Sequence, residues 1–187
     1  MSIKFKHTDT FSTYFVSFTC IEWISLFDIT NGYDTVYNWF DILKKQYKAD
    51  VIAYVIMPNH LHVILHFQGE AFNLNTLVAN GKRFMAYEMI SRLEQKGETA
   101  LLHHLEKLTT ERERKKGQLH KVFKDSFDAK AIITQHFLLQ KINYIHKNPV
   151  AGKWKLAEDF VAYEHSSASF YEIQLVKHYC PMHYLDL

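Results

Sequence analysis

The sequence predicts an α+β fold: a ferredoxin-like antiparallel sheet with helices packed on one face, plus an extra helical insertion. Two observations lead to this prediction. The chain reads as strand, helix, strand, strand, helix, strand and helix, once one additional helix before the last strand is set aside. Only Pro58 and Asn59 separate the second and third strands, so these two must be joined as a tight antiparallel pair.

Each element has its own local signal. β-branched and aromatic residues mark the strands, and apolar residues at helical spacing mark the helices. The predicted strands span 12–20, 50–57, 60–67 and 121–133, and the predicted helices span 33–47, 74–93, 99–110 and 134–146. Thr99 is the expected N-cap of the third helix, and 111–116 its solvated end. The fourth strand has an expected bend at 125–126, Pro149 ends the last helix, and the segment from Trp154 onward has no assignment.

Composition bounds the class of protein. The 187 residues are 48% apolar, which predicts one domain over 1–187 and excludes global disorder. The net charge of +2 means that any basic surface is local. Cys20 and Cys180 are expected to be free thiols in a reducing cytosol. Residues 1–11 show no apolar signal core and no run approaches ~20 apolar residues, so a cytoplasmic protein without a membrane span is expected.

The segment "MPNHLHVIL" (57–65) places two histidines at the start of a strand. His60 and His62 point to the same face, and their Cα atoms lie ~6.6 Å apart, so they can converge on one ion. His66 lies ~13 Å from His62 on that face and is a poor third ligand. Two alternatives are solvent-facing histidines and an HxHxDH zinc hydrolase, although the carboxylate of that motif is missing here.

A second cluster lies in "QKINYIHKNPVAGKW" (140–154). Tyr144 and Asn148 share one helix face, and Lys141 lies one turn before Tyr144. A phenol, an amide and an ammonium near a histidine pair suit phosphoryl transfer, in which a metal polarises the phosphate and the tyrosine attacks it. Lys141 would hold the backbone that carries the phosphate or ease loss of the tyrosine proton. The alternatives are ordinary packing for Tyr144 and a helix stop for Asn148-Pro149.

These two motifs together resemble the single-tyrosine HUH transposases, closest to the REP-associated tyrosine transposases. "STYFVSFTC" (12–20) is similar to the opening strand of that family, and "YEHSSASFY" (163–171) to its Ser-Ser-Ala segment. The resemblance implies a ferredoxin-like fold that cleaves and rejoins hairpin-bearing single-stranded DNA. It also implies a covalent 5′-phosphotyrosine intermediate.

The resemblance assigns roles by motif match. His60, His62 and Asn148 would bind Mg²⁺ or Mn²⁺, and Tyr144 would be the nucleophile. Pro149 disfavours helical geometry at Asn148, because a residue before proline avoids the helical region. The sequence departs from the family pattern at Ala151, where a basic residue is frequent, and at 97–120, which is a predicted helical insertion.

Four basic residues are candidates for phosphate contacts: Lys82, Arg83, Lys141 and Lys153. Each is equally well explained as a solvated charge. Gly81 directly precedes Lys82 and Arg83 on the second helix and allows either close backbone packing or room for substrate.

Alternatives to the transposase are a non-catalytic DNA-binding module and a metal-dependent phosphodiesterase that uses water. A relaxase or replication initiator shares the chemistry but fits the second motif less well. Both a monomer and a homodimer fit the resemblance.

Overall fold

The sheet has the strand order and directions of a ferredoxin-like fold. The structure, a computed structural model, describes residues 11–69 and 72–187. Its strands are β1 (Thr13–Thr19), β2 (Ala49–Met57), β3 (His60–Phe67) and β4 (Asp128–Ala131). They lie in the order β2-β3-β1-β4, and all neighbours are antiparallel. The predicted fold class is therefore confirmed. The fourth strand is shorter than predicted: a bridge between Cys20 and Phe123 precedes the bend, and regular pairing begins at Asp128.

Helices accompany the strands in the described residues, and the four longest lie where the apolar spacing predicted them. They are α1 (Leu26–Ile29), α2 (Tyr33–Tyr47), α3 (Leu74–Lys96), α4 (Thr99–Lys107), α5 (Glu111–Arg114), α6 (Gln135–Lys147) and α7 (Ala168–Ile173). Short 3₁₀ turns lie at Ile21–Trp23, Asn148–Val150 and Tyr184–Asp186. Within the two described ranges, no helix combines the length and apolarity needed to cross a membrane.

Two local predictions in the insertion were wrong. Thr99 is the first residue of α4 rather than its cap, because Gly97 ends α3 in the left-handed conformation and leaves only Glu98 between the helices. Residues 111–116 are mostly exposed, as predicted, but they begin a separate short helix and do not end the preceding one. Thr110 and Glu113 form a capping box that starts α5, and the Glu113 carboxylate accepts a hydrogen bond from Lys121 at 2.7 Å.

The two faces of the sheet are covered by different helices. Helices α2 and α3 pack on one face, as predicted, through side chains such as Val36, Phe40 and Met89. Helix α6 packs on the opposite face, where Leu138, Ile142 and Ile145 meet Ile52, Val55 and Ile64. Because α6 carries Tyr144, the packing of this helix on the second face of the sheet determines where Tyr144 lies.

Gly81 allows α3 to approach α2 closely. A Cβ at this position would lie 2.5 Å from the indole Nε1 of Trp39, which is itself buried. The close-packing interpretation of Gly81 is the one that the structure supports.

The segment after residue 154 covers the outer edge of β2. The Ile56 amide donates to the His165 carbonyl at 2.9 Å, the Ser167 amide to Tyr54 at 3.0 Å, and the Met182 amide to Val51 at 2.8 Å. These bonds use backbone groups that an edge strand would otherwise expose, and β2 is buried along its whole length.

Candidate active site

A cavity of about 660 Å³ opens beside the start of β3, on the face that α6 covers. Its lining combines both sequence motifs with the turn after β1 and the approach to β4. The lining includes Trp23, His60, His62, Lys124, Asp128, Tyr144, Asn148, Lys153 and Trp154.

His60 and His62 form a buried, neutral pair. Their side chains lie on the same face with ring centroids 4.7 Å apart, and only 6% and 7% of each residue is exposed. Burial lowers the pKa of His60 to about 4, against a smaller opposing effect of a hydrogen bond with Asn148. Burial, with the nearby charges of His60 and Lys141, lowers the pKa of His62 to about 3. Near neutral pH both rings therefore carry a free lone pair, as a metal ligand must.

The tautomer of His60 follows from a chain of hydrogen bonds. The Asn59 amide nitrogen donates to the Trp23 carbonyl at 2.8 Å, which turns the amide oxygen toward His60 Nδ1 at 2.7 Å. Because that oxygen can only accept, the proton must lie on Nδ1 and the lone pair on Nε2. Asn59 thus holds His60 in the form that presents Nε2 to a ligand.

His62 is positioned mainly by ring packing, because only one of its two ring nitrogens has a hydrogen-bond partner. Its ring stacks on Phe15 with centroids 5.4 Å apart, and its Nε2 lies 3.4 Å from the Tyr144 hydroxyl oxygen. Within 11–69 and 72–187, His62 Nδ1 is the one buried side-chain nitrogen or oxygen that lacks a hydrogen-bond partner. Such an unpaired atom is costly in a protein interior and is common at functional sites.

Tyr144 reaches the cavity from α6. The residue is 46% exposed, and its ring meets those of His62 and Phe15 at centroid distances of 5.2 and 6.0 Å. The Lys141 ammonium lies 4.6 Å from the Phe15 ring centre and 5.2 Å from that of Tyr144. Burial, and then the charge of Lys130, lower the pKa of Lys141. The predicted proximity of the histidine pair, Tyr144 and Lys141 is therefore present in the structure.

The rotation of α6 is fixed from its other side. His146 is buried, with its pKa lowered to about 4 by burial, and its Nε2 lies 3.0 Å from the Ser167 hydroxyl oxygen. Ser167 also accepts a bond from the Tyr54 amide at 3.0 Å. The histidine of the second motif and the Ser-Ser segment thus lock the helix onto β2, which leaves Tyr144 facing the cavity.

Asn148 completes the set of candidate metal ligands. It keeps helical geometry (φ −55°, ψ −44°) despite the following proline, and its side chain is within hydrogen-bonding range of His60. In the part of the chain that the structure describes, no three His, Cys, Asp or Glu side chains converge on one point. The donor set is therefore two neutral imidazoles and an amide oxygen. This set fits a divalent ion bound weakly by protein alone and completed by an anionic substrate.

The four candidate phosphate contacts have different surroundings. Lys153 lines the cavity and Lys141 lies beside Tyr144. Arg83 is exposed on α3 and stacks over Phe84 at 5.2 Å, outside the cavity lining. The Lys82 ammonium donates to the carbonyls of three consecutive residues, 124–126, at 2.6, 3.2 and 3.5 Å. Its protons are used within the protein, so the structure does not support a phosphate contact for Lys82.

Sequence reasoning missed several residues that shape the site. The sequence predicted Asn59 only as part of a turn. Its role depends on the distant Trp23 carbonyl, which orients the Asn59 amide so that its oxygen faces His60. Phe15 was predicted only as part of a strand, and Trp23 lies in the segment 21–32, for which no element was predicted. Trp154 was seen only as part of a motif. A local signal did exist for Phe15, because alternation along β1 places it on the face opposite to Tyr14 and Val16.

Comparison with solved structures gives a precedent for this fold. The chain is similar to a REP-associated tyrosine transposase bound to a REP hairpin, at TM-score 0.60 and 15% sequence identity, over 97% of this chain and 93% of that one. A candidate transposase from Deinococcus radiodurans R1 matches at TM-score 0.44 and 14% identity, over 78% of this chain and 95% of that one. No protein-family model and no curated protein matched the sequence. The first likeness shows that this chain has the fold of a REP-associated tyrosine transposase.

Proposed function

We propose that this chain is a single-tyrosine HUH transposase that cleaves and rejoins hairpin-bearing single-stranded DNA through a covalent bond to Tyr144. The observation that carries this proposal is the position of the Tyr144 hydroxyl, 3.4 Å from His62 and on the same cavity as His60 and Asn148. A phenol beside two neutral imidazoles is suited to attack on a phosphate that the imidazoles help to anchor.

The cleavage step begins with the Tyr144 oxygen attacking the phosphorus of one DNA phosphodiester. A tyrosine–phosphorus bond forms, the bond to the 3′ oxygen breaks, and that oxygen takes a proton from water to become a 3′ hydroxyl. The phenol proton leaves to solvent, which reaches Tyr144 because nearly half of the residue is exposed. Lys141 stabilises the developing phenolate through its positive charge. Attack by another 3′ hydroxyl on the phosphotyrosine reverses these bonds and rejoins the DNA.

His60, His62 and Asn148 would hold the divalent ion, Mg²⁺ or Mn²⁺. When bound, the ion supplies charge that polarises the scissile phosphate. The protein prepares this position by keeping both histidines neutral and by fixing the His60 proton on Nδ1 through Asn59. The preference for a hard ion comes from the family resemblance, since imidazole by itself also suits softer metals.

The cavity wall suits a single DNA strand. Lys124 and Lys153 line it and Lys141 lies beside it, so cations surround the histidine pair, with Asp128 as the opposing charge. The solved transposase of the same fold is bound to a REP hairpin, which supports a hairpin as the substrate here. Because the attacked phosphate must reach Tyr144 inside this cavity, we expect double-stranded DNA to be a poor substrate.

The test is a covalent-adduct assay with DNA hairpins from the regions that flank the gene. Wild-type protein and Mn²⁺ should give a band that resists denaturant and carries the label of the 5′-phosphate fragment. The Tyr144→Phe variant should bind the same DNA and give no band. Tyr87→Phe is the matched control, since Tyr87 is 66% exposed and does not line the cavity.

Other outcomes separate the alternatives. Cleavage without an adduct, unchanged by Tyr144→Phe, would indicate a phosphodiesterase that uses water. Binding without cleavage by wild type would indicate a non-catalytic DNA-binding module. Full activity in EDTA would overturn the metal assignment.

A further inference from the structure

We infer that Trp23 stacks on an unpaired DNA base next to the histidine pair, and that Trp154 forms a second part of this stacking surface. The inference rests on the proposed function, because it assumes that single-stranded DNA enters the cavity. It concerns how the DNA strand is bound, which is a separate property from how the strand is cleaved.

The backbone at Trp23 adopts an unfavourable conformation. Glu22 and Trp23 are consecutive residues with positive φ, at 50° and 61°. For residues other than glycine this left-handed region costs free energy, and a bulky aromatic side chain is rare there. Backbone strain that persists in a folded protein is concentrated at ligand-binding and catalytic sites.

Surrounding elements hold this turn in place. The Trp23 carbonyl accepts a bond from Asn59, the same residue that fixes His60, and the Trp23 amide donates to the Cys20 carbonyl at 3.2 Å. From the insertion, His104 Nε2 lies 2.8 Å from the Glu22 carboxylate. The strained turn is therefore connected through Asn59 to the proposed metal ligand His60.

This conformation exposes a large apolar ring at the cavity. Trp23 is 54% exposed, although a tryptophan is normally among the more buried residues. The Trp23 ring centroid lies 5.8 Å from that of His60, and the Trp154 ring centroid lies 6.2 Å from that of His60. A base stacked on either indole would thus lie beside a phosphate held at His60.

Each tryptophan also has a lysine on its ring. Lys124 Nζ is 4.5 Å from the Trp23 ring centre, and Lys153 Nζ is 5.6 Å from that of Trp154. The lysine covers only part of the indole of Trp23, and the 54% exposure of this residue leaves ring surface accessible to a base. Aromatic rings interleaved with cations are the arrangement that binds single strands: rings stack on bases while cations contact the backbone.

The test compares two probes of equal charge: a twelve-nucleotide strand of thymidines, and a twelve-unit abasic strand with the same phosphates. Trp23→Ala should weaken binding of the thymidine strand by about 5- to 150-fold, the loss expected for one stacked base, and leave binding of the abasic strand unchanged. Trp154→Ala should act in the same direction, and Trp23→Phe should recover part of the affinity. Tyr87→Ala, which removes an exposed aromatic outside the cavity, is the control.

Intrinsic fluorescence gives a second readout. The chain has three tryptophans, and Trp39 is buried in the core, so quenching by thymidine strands should come from Trp23 and Trp154 and disappear when both are phenylalanine. Equal weakening of both probes by Trp23→Ala, or no weakening, would overturn the inference. DNA cleavage by Tyr144 alongside that result would leave the proposed function standing. Base-dependent binding through Trp23 without any adduct would support stacking and contradict the catalytic proposal.

Discussion

The two faces of the sheet are built from the same strands and have different purposes. The first face, under α2 and α3, is a continuous apolar cluster that runs from β1 to the insertion. The second face, under α6, has a smaller cluster, and beyond its end lie His60 and His62. On one strand, Leu61 belongs to the first face and His62 to the second, so adjacent residues face the apolar core and the candidate site respectively.

This difference shows how the fold can bury two histidines and still leave them beside an open cavity. Helix α6 covers enough of the second face to desolvate the imidazoles and keep them neutral. It leaves a cavity that Tyr144 lines, where the proposed DNA substrate would reach the two rings. Complete coverage, as on the first face, would exclude the substrate.

Substitution of the adjacent residues His62 and Leu61 gives the largest expected effects. His62→Ala should reduce cleavage to background and lower the free energy of unfolding by only about 1 kcal/mol, because it also removes an unpaired buried nitrogen. Leu61→Ala should lower the free energy of unfolding by about 2–5 kcal/mol, because it leaves a cavity in a fully buried cluster. Hairpin cleavage and urea denaturation of both variants measure the two effects.

The two variants must be compared at a temperature at which Leu61→Ala is folded. Under that condition Leu61→Ala should still form the tyrosine adduct. If His62→Ala destabilised the protein as much as Leu61→Ala while retaining cleavage, the division between the two faces would be wrong.

An intermediate effect is expected at Asn59, which links the second face to the Trp23 turn. Asn59→Ala should weaken Mn²⁺ binding by about 10- to 100-fold, because His60 loses the acceptor that fixes its proton on Nδ1. The affinity can be measured by electron paramagnetic resonance of Mn²⁺ with hairpin DNA and a Tyr144→Phe background. His66→Ala is the control, since His66 bonds to Thr13 and does not line the cavity. Equal affinities for the Asn59→Ala variant and the unchanged protein would remove Asn59 from the metal site.

The smallest expected effect is on the pH dependence of stability, through the ion pair between Glu113 and Lys121 in the insertion. Burial by itself would raise the pKa of Glu113, but hydrogen bonds from Lys121 and Thr110 outweigh it and lower the value to about 2. Because the folded pKa lies below the ordinary 4.5, this stabilisation is complete above pH 4.5 and is lost as the pH falls toward 2. Glu113→Gln should remove about 1–2 kcal/mol of unfolding free energy at pH 7 and flatten the curve between pH 4.5 and 2. A curve that keeps its slope in the variant would assign the titration to other carboxylates.

Much of the site could be predicted from sequence because it depends on local periodicity. The alternation of a strand places His60 and His62 on one face, and the helical repeat places Tyr144 and Asn148 together. The tight link at Pro58-Asn59 and the order of elements then give the antiparallel sheet. These features depend on residues close together in the chain.

The remaining features depend on contacts between distant residues. Lys82 looked like a surface cation, but the loop at 124–126, over 40 residues away, uses its protons. The left-handed turn at Trp23 has no glycine to signal it and is held by Asn59 and His104. Trp154 approaches His60 only because the second motif folds back over β3. Local patterns carry no information about such contacts.

The most direct test of the central claim is to locate the covalent bond to DNA. Wild-type protein would be reacted with a hairpin substrate that it cleaves, and the product would be digested with nuclease and trypsin and examined by mass spectrometry. The tryptic fragment 142–147 (INYIHK) contains one tyrosine, Tyr144, so a nucleotide on this peptide identifies the residue without ambiguity. We predict a 5′-linked nucleotide phosphate on fragment 142–147 and on no other tyrosine-containing fragment. A nucleotide on a different tyrosine, or cleaved DNA with no modified peptide, would contradict the assignment of Tyr144 as the nucleophile.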